Sequence, residues 1–166
     1  NNPKVIDADG IKALSSNGLR NSIITPHIKE LEIFIENSNI KKTIIKKIIN
    51  ENNTQKKALL IKNNFQKFLD KNNIILLKGP VDAIISKDDV LLAKGGNPGM
   101  AKAGTGDVLA GLCAGFLGQS KDLLQSAVNA SYFNKQIGDI LLRKKKGFAY
   151  LASDMVWEIR KVLKNG

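Results

Sequence analysis

The sequence predicts an α/β layered fold, with a mostly parallel sheet flanked by helices. Three observations carry this expectation. Strand-length apolar runs alternate with stretches of helical spacing along most of the chain. Asn73–Lys78 (NIILLK) is a continuous apolar run of strand length, closed by Gly79-Pro80. At 43% hydrophobic and 25% charged residues, the 166-residue chain has the composition of one soluble globular domain rather than a disordered segment.

The elements follow in order. Pro3–Asp7 reads as a buried strand and Ile11–Leu14 as a short helix. Asn21–Thr25 is a second short apolar run, ended by Pro26. Ile28, Leu31 and Ile35 fall on one face of a helix over Ile28–Ile35. Ile40–Ile49 is a helix striped by Ile44, Ile45, Ile48 and Ile49. Thr54 is the expected N-cap of a helix Gln55–Leu69, with Leu59, Leu60 and Phe68 on its apolar face. After Asn73–Lys78 come strands Ala83–Ser86 and Val90–Ala93, joined by an Asp88-Asp89 hairpin turn, at or near one sheet edge or serving as a flap. Asp107–Leu117 is apolar on nearly every side and is expected to be buried. Helices Asp122–Leu142 and Ser153–Leu163, the latter capped by Ser153, complete the chain.

The chain begins at Asn1-Asn2-Pro3-Lys4, without Met, and enters a strand almost at once. This predicts that an N-terminal portion lies outside it. No secretory h-region is present, and the most apolar stretch, Val108–Leu117, is about half the ~20 residues that span a bilayer. The single cysteine, Cys113, lies in that stretch and reads as a small core residue. One Cys and one His exclude a zinc site of ordinary spacing. A reducing, cytoplasmic setting and no membrane association are expected.

Lys+Arg 26 against Asp+Glu 15 gives a net charge of +11. A balance this basic permits nucleic-acid binding. The details speak against it: Arg occurs only at 20, 143 and 160, and no aromatic residues alternate with the Lys-rich segments Ile40–Asn53, Gln55–Asn73 and Lys144–Lys146. Solvated faces are the expected reading, and no nucleic-acid partner is expected.

The most informative segment is the glycine-rich loop Gly95–Gly106, which runs directly into the apolar helix. Its small residues let a ligand approach the backbone, and the free N–H groups of a helix start attract anions, phosphate above all. No Gly-Lys-Ser/Thr follows, so it is not a P-loop; Leu109 stands where a dinucleotide fingerprint needs its third glycine. Taken alone, Asp107 reads equally as a helix cap.

The string Asn97-Pro98-Gly99-Met100-Ala101…Gly104-Thr105-Gly106-Asp107-Val108-Leu109-Ala110-Gly111 resembles the nucleotide-loop signature of the ADP/ATP-dependent NAD(P)H-hydrate dehydratases, in the ribokinase-like superfamily. Three other segments match in order: Val5–Gly10, Thr25–Glu30 and Leu76–Asp82. The resemblance covers Val5 to about Trp157 and implies that residues 1–166 are the C-terminal portion of one ribokinase-like domain. Two departures stand out: Ile28-Lys29 in place of Pro-Gly, and Lys102-Ala103 in place of Thr-Gly.

The resemblance implies repair of hydrated NADH or NADPH. Phosphoryl transfer from ADP or ATP, with Mg2+, turns the ring hydroxyl into a phosphate leaving group, which the ring nitrogen's lone pair expels. Asp107 is implied as the base for that hydroxyl, with His27 and Glu30 also on the substrate side. Glu30 could equally cap the following helix, and Asp7 and Asp9 could equally satisfy loop backbone groups. The implied nucleotide contacts are Lys78, Gly79, Pro80, Val81 and Asp82, with Asn97, Pro98, Gly99, Met100, Ala101, Lys102, Ala103, Gly104, Thr105 and Gly106. Lys102 either adds a charge to a phosphate or points to solvent. Expected partners are small-molecule substrates, further copies in a homo-oligomer, and the missing N-terminal segment. Two other functions fit the same residues: a vitamin-precursor kinase of the same superfamily, and a non-catalytic nucleotide- or nucleic-acid-binding module.

Overall fold

In the computed structural model, residues 2–145 and 147–164 are described. Asn1 of the opening stretch, Lys146 of the basic run and the last two residues of the expected domain lie outside them. Five strands form one sheet in the order β1-β2-β3-β4-β5: Lys4–Ile6, Ser22–Ile24, Asn73–Leu77, Asp82–Ile85 and Val90–Ala93. β1, β2 and β3 are parallel, with Ile6, Ile24 and Ile75 in register. β3–β4 and β4–β5 are antiparallel, so the hairpin forms one edge of the sheet. Its turn is held by Asp89 N–H donating to Ser86 Oγ and Ser86 N–H to the Asp89 carbonyl.

Alternation along the strands sends side chains into two layers. Ile24, Ile75, Leu77, Ala83 and Ile85 pack with helices α1–α5: Asp9–Lys12, Ile28–Glu36, Lys42–Asn50, Thr54–Asn64 and Gln66–Leu69. Ile23, Ile74, Leu76 and Ile84 pack with α6–α8: Thr105–Ser120, Leu123–Lys144 and Ala152–Lys164. β2, β3 and β4 are thus covered on both faces, as their near-continuous apolar runs require, whereas Leu91 and Leu92 of the edge strand β5 remain exposed. Cys113 is fully buried in the second layer, and burial pushes its thiol up to about 12. Among the described residues no helix is long and apolar enough to cross a membrane.

Several local expectations are corrected. Gln55–Leu69 is not one helix: it starts at Thr54, capped by Asn53, and breaks at Phe65, whose ring joins Phe34 and Phe68 in the core. Leu59 is not on the apolar face: α4 buries Ala58 and Ile61 and leaves Leu59 exposed. α6 begins at Thr105 and is not enclosed: Gly111, Ala114 and Gly115 face outward. α7 is capped by Asp122, whose carboxylate accepts from Gln125 N–H. Ser153 is not the cap of α8; there the Asp154 carboxylate accepts from Leu151 N–H.

Candidate active site

The parallel strands end on one rim of the sheet, where ligands of open α/β sheets gather. Asp7 follows β1, Thr25-Pro26-His27 follows β2 and Lys78-Gly79 follows β3. The Lys78 ammonium lies 2.8 Å from Asp7 Oδ1 and 3.4 Å from Glu30 Oε2, and Thr25 Oγ1 donates to Asp7 Oδ1 at 2.7 Å. His27 caps α2: its Nδ1 accepts from the N–H groups of Lys29 and Glu30, while Glu30 Oε2 accepts from His27 N–H. This is a reciprocal capping box with histidine in the place of serine. Glu30 therefore serves as a cap and lies against Lys78. Asp9, by contrast, points to solvent, paired with Lys12.

The glycine-rich loop folds over this rim by a second set of contacts. Gly96 N–H and Asn97 Nδ2 both donate to the Asp139 carboxylate on α7. Asn97 Oδ1 accepts from Gly99 N–H and from the Tyr150 hydroxyl. Thr105 Oγ1 donates to the carbonyls of Met100 and Lys102, closing the loop onto the start of α6. Gly104 is left-handed at φ +87°, and a Cβ there would fall 2.9 Å from Ala152 Cβ. A Cβ on Gly106 would fall 3.4 Å from Lys78 Nζ. The lysine therefore stands beside the first turn of α6, where unpaired N–H groups and the positive end of the helix dipole already favour an anion.

A cavity of about 820 Å3 opens between rim and loop. Of the sequence-predicted nucleotide contacts, Lys78, Gly79, Pro80, Asp82, Asn97, Pro98, Met100, Ala101, Lys102, Thr105 and Gly106 line it, and so does His27. Val81, Gly99, Ala103 and Gly104 do not: Gly99, for one, is buried against Asn97 and Tyr150. Lys102 is exposed and lines the cavity, with its ammonium turned to the stretch before α8. It donates to the carbonyls of Phe148 and Tyr150 and sits 5.1 Å from the Tyr150 ring centroid.

Asp107 lines a different cavity, of about 620 Å3, together with Gly104, Val108, Gly111, Leu112 and Phe116 of α6 and Ala152 and Val156 of α8. Asp107 is exposed, and no side-chain cap bond serves the start of α6, so it is not the cap that its position alone suggests. The first turn of α6 is thus a shared wall: Thr105 and Gly106 face one cavity, Gly104 and Asp107 the other.

Gly95 and Gly96 of the glycine-rich loop also line the first cavity, as do Leu109, Asn134 and Lys135, which sequence reasoning did not place there. Lys135 is only 5% exposed. Its ammonium donates to the carbonyls of Gly79 and Pro80 and lies 3.4 Å from Asp82 Oδ1. Asp82 in turn accepts from Gly79 N–H and Ser131 Oγ. The signal was available: Asn134 and Lys135 are polar residues on the buried face of a helix that otherwise carries Ala127, Ala130, Ile137 and Leu141.

The Carb_kinase family model, described as NAD(P)H-hydrate dehydratase, matches residues 1–161. The chain belongs to the NAD(P)H-hydrate dehydratase family. Within that family it is 35% identical over 167 residues to the bifunctional NAD(P)H-hydrate repair enzyme Nnr of Methanocaldococcus jannaschii, covering 96% of this chain and 27% of that protein. A 49-residue stretch, 30% of this chain and 17% of the relative, is 53% identical to the ADP-dependent (S)-NAD(P)H-hydrate dehydratase of Enterococcus faecalis. The fold is shared with the Bacillus subtilis ADP/ATP-dependent NAD(P)H-hydrate dehydratase co-crystallized with ATP/Mg2+, at TM-score 0.77 and 24% identity over 98% of this chain and 55% of that one. The chain therefore spans about half the length of that solved family member and about a quarter of the archaeal one.

Proposed function

We propose that the protein is a nucleotide-dependent NAD(P)H-hydrate dehydratase, a lyase, with Asp107 as its catalytic base. The observation that carries this is the shared wall at the start of α6. A nucleotide in the first cavity directs its terminal phosphoryl group at the Gly106 amide and at Lys78. A hydroxylated acceptor in the second cavity meets Asp107. The first turn of α6 contributes lining residues to both cavities, so the two ligands would meet across it.

The chemistry then needs little from the protein beyond position and charge. The ring hydroxyl oxygen attacks the terminal phosphorus, the bridging P–O bond breaks, and the hydroxyl proton goes to the Asp107 carboxylate as transfer proceeds. The ring nitrogen's lone pair expels the phosphate from the neighbouring carbon. Loss of a proton from the adjacent ring carbon restores the dihydronicotinamide. His27, on the rim with its ring half exposed, lines the first cavity beside Lys78, and in this reading it touches the substrate where the two ligands meet. Asp7 and Glu30 act through Lys78, holding its ammonium in place.

ADP or ATP is the donor, with Mg2+ bound mainly through phosphate oxygens. Among the described residues no three Asp, Glu, His or Cys side chains gather as a metal site. The Mg2+ neutralises phosphate charge when bound.

In the same reading the chain is the C-terminal portion of one ribokinase-like domain in a cytoplasmic homo-oligomer, and a further segment of the same protein completes the site. Two features support the added segment. β1 is an edge strand of only three residues, and the groove between α6 and α8 is apolar and open, with Val156 exposed along it. The exposure of Trp157, at 79%, supports an assembly larger than this chain.

The test incubates the complete protein with hydrated NADH, Mg2+ and ADP or ATP, and follows recovery of the dihydronicotinamide absorbance together with release of inorganic phosphate. A stable phosphorylated product without phosphate release would identify a kinase instead. An Asp107→Asn variant with full rate would remove Asp107 from the mechanism.

A further inference from the structure

We propose that Asn134 reads the base edge of the bound adenine nucleotide, a role that rests on the nucleotide occupying the first cavity. Asn134 lies on α7, lines that cavity and is 5% exposed. Its Oδ1 is fully covered and accepts no hydrogen bond, and no other buried side-chain polar atom among the described residues is in that condition. A buried carbonyl without a donor carries a desolvation penalty that a ligand N–H removes.

The surroundings narrow the ligand group. On the face of α7 that holds Asn134, Ser131 precedes it, bonded to Asp82, and Gly138 follows one turn on. A Cβ on Gly138 would fall 2.4 Å from Met100 Sδ, so Met100 closes directly over that turn. Asn134 is therefore set between the Asp82 turn and the Met100 side chain. Phosphate oxygens only accept, so an unpaired acceptor is the wrong group for them; their donors stand at Gly106 and Lys78. Met100, Pro80 and Leu109 give the cavity apolar surfaces suited to a planar ring. A carboxamide offers one acceptor and two donors in a plane, matching the amino group and adjacent ring nitrogen of adenine. Its χ2 torsion is soft, so the amide plane turns toward the ring without moving α7.

The complete protein and its Asn134→Leu variant are titrated calorimetrically with ADP, with purine riboside 5′-diphosphate, which lacks the amino group, and with pyrophosphate. The wild type is expected to prefer ADP about 10-fold. Asn134→Leu is expected to bind the two nucleotides equally, to keep its pyrophosphate affinity and to melt no lower than the wild type without ligand, since an unpaired polar atom has been removed. Asn134→Ala provides the same comparison should leucine not fit. Equal binding of the two nucleotides by the wild type, or a preference that survives both substitutions, overturns the role of Asn134 while leaving the nucleotide site standing. Failure of the wild type to bind either ADP or pyrophosphate overturns both.

Discussion

The Lys78 ammonium lies 2.8 Å from Asp7 Oδ1, a contact that spans 71 positions of sequence and joins the ends of two strands that are not neighbours in the sheet. With Glu30 on its other side and Gly106 in front of it, the lysine is aimed before any ligand arrives. Preorganised charge of this kind is what phosphoryl transfer draws on.

Removing the aim and removing the charge are expected to differ. Asp7→Ala should cost about 2 kcal/mol in chemical denaturation, less than the roughly 3–5 kcal/mol of a fully buried pair because both side chains retain some solvent. Lys78→Met should weaken ADP binding at least about tenfold by removing a charge-assisted donor, measured by calorimetric titration. An unchanged affinity would separate Lys78 from the phosphates.

Gly104→Ala is expected to destabilise the fold by about 2 kcal/mol and to lower nucleotide affinity with it. The left-handed backbone at φ +87° disfavours a side chain, and the new Cβ would press on Ala152. Thermal melting with and without ADP checks both effects.

Tyr150→Phe should cost about 1 kcal/mol by deleting the hydroxyl that donates to Asn97. Asn97 keeps Gly99 N–H as a partner, so the loss should appear as a softened loop rather than an unfolded one. Hydrogen exchange at Gly96–Gly99 is the measurement; unchanged protection there would remove Tyr150 as its anchor.

Acid should weaken the α7–α8 contact through Glu158. The hydrogen bond from Lys144 is the largest influence holding its carboxyl below the ordinary value of 4.5, despite the opposing effect of burial. Because the folded value is the lower one, the unfolded chain binds the proton more readily. The stabilisation is complete above pH 4.5 and is lost as pH falls through the folded value. Glu158→Gln should flatten that part of the stability profile, measured by urea denaturation between pH 3 and pH 6.

Much of this was legible in residue spacing. Asn73–Leu77 and Val90–Ala93 follow from unbroken apolar runs, and the glycine-rich loop that lines the first cavity stood out by its small residues. The break at Phe65 was not legible, because an aromatic residue fits a helix as readily as the core corner that it fills with Phe34 and Phe68. Nor was the division of labour around α6. Gly106 and Asp107 are adjacent in sequence, yet the helical turn between them directs one to each cavity. Nothing local to Lys102 reveals that the carbonyls of Phe148 and Tyr150, nearly fifty residues on, come within its reach.

The hairpin at the sheet edge has a practical corollary. β4 starts beside the cleft at Asp82 and runs away from it, so its Ser86–Asp89 tip projects from the opposite rim, near Asp70. A fluorescent label or a short affinity tag grafted at Lys87 would report on tumbling and assembly without intruding on bound small molecules, which gives binding studies a handle that leaves the chemistry alone.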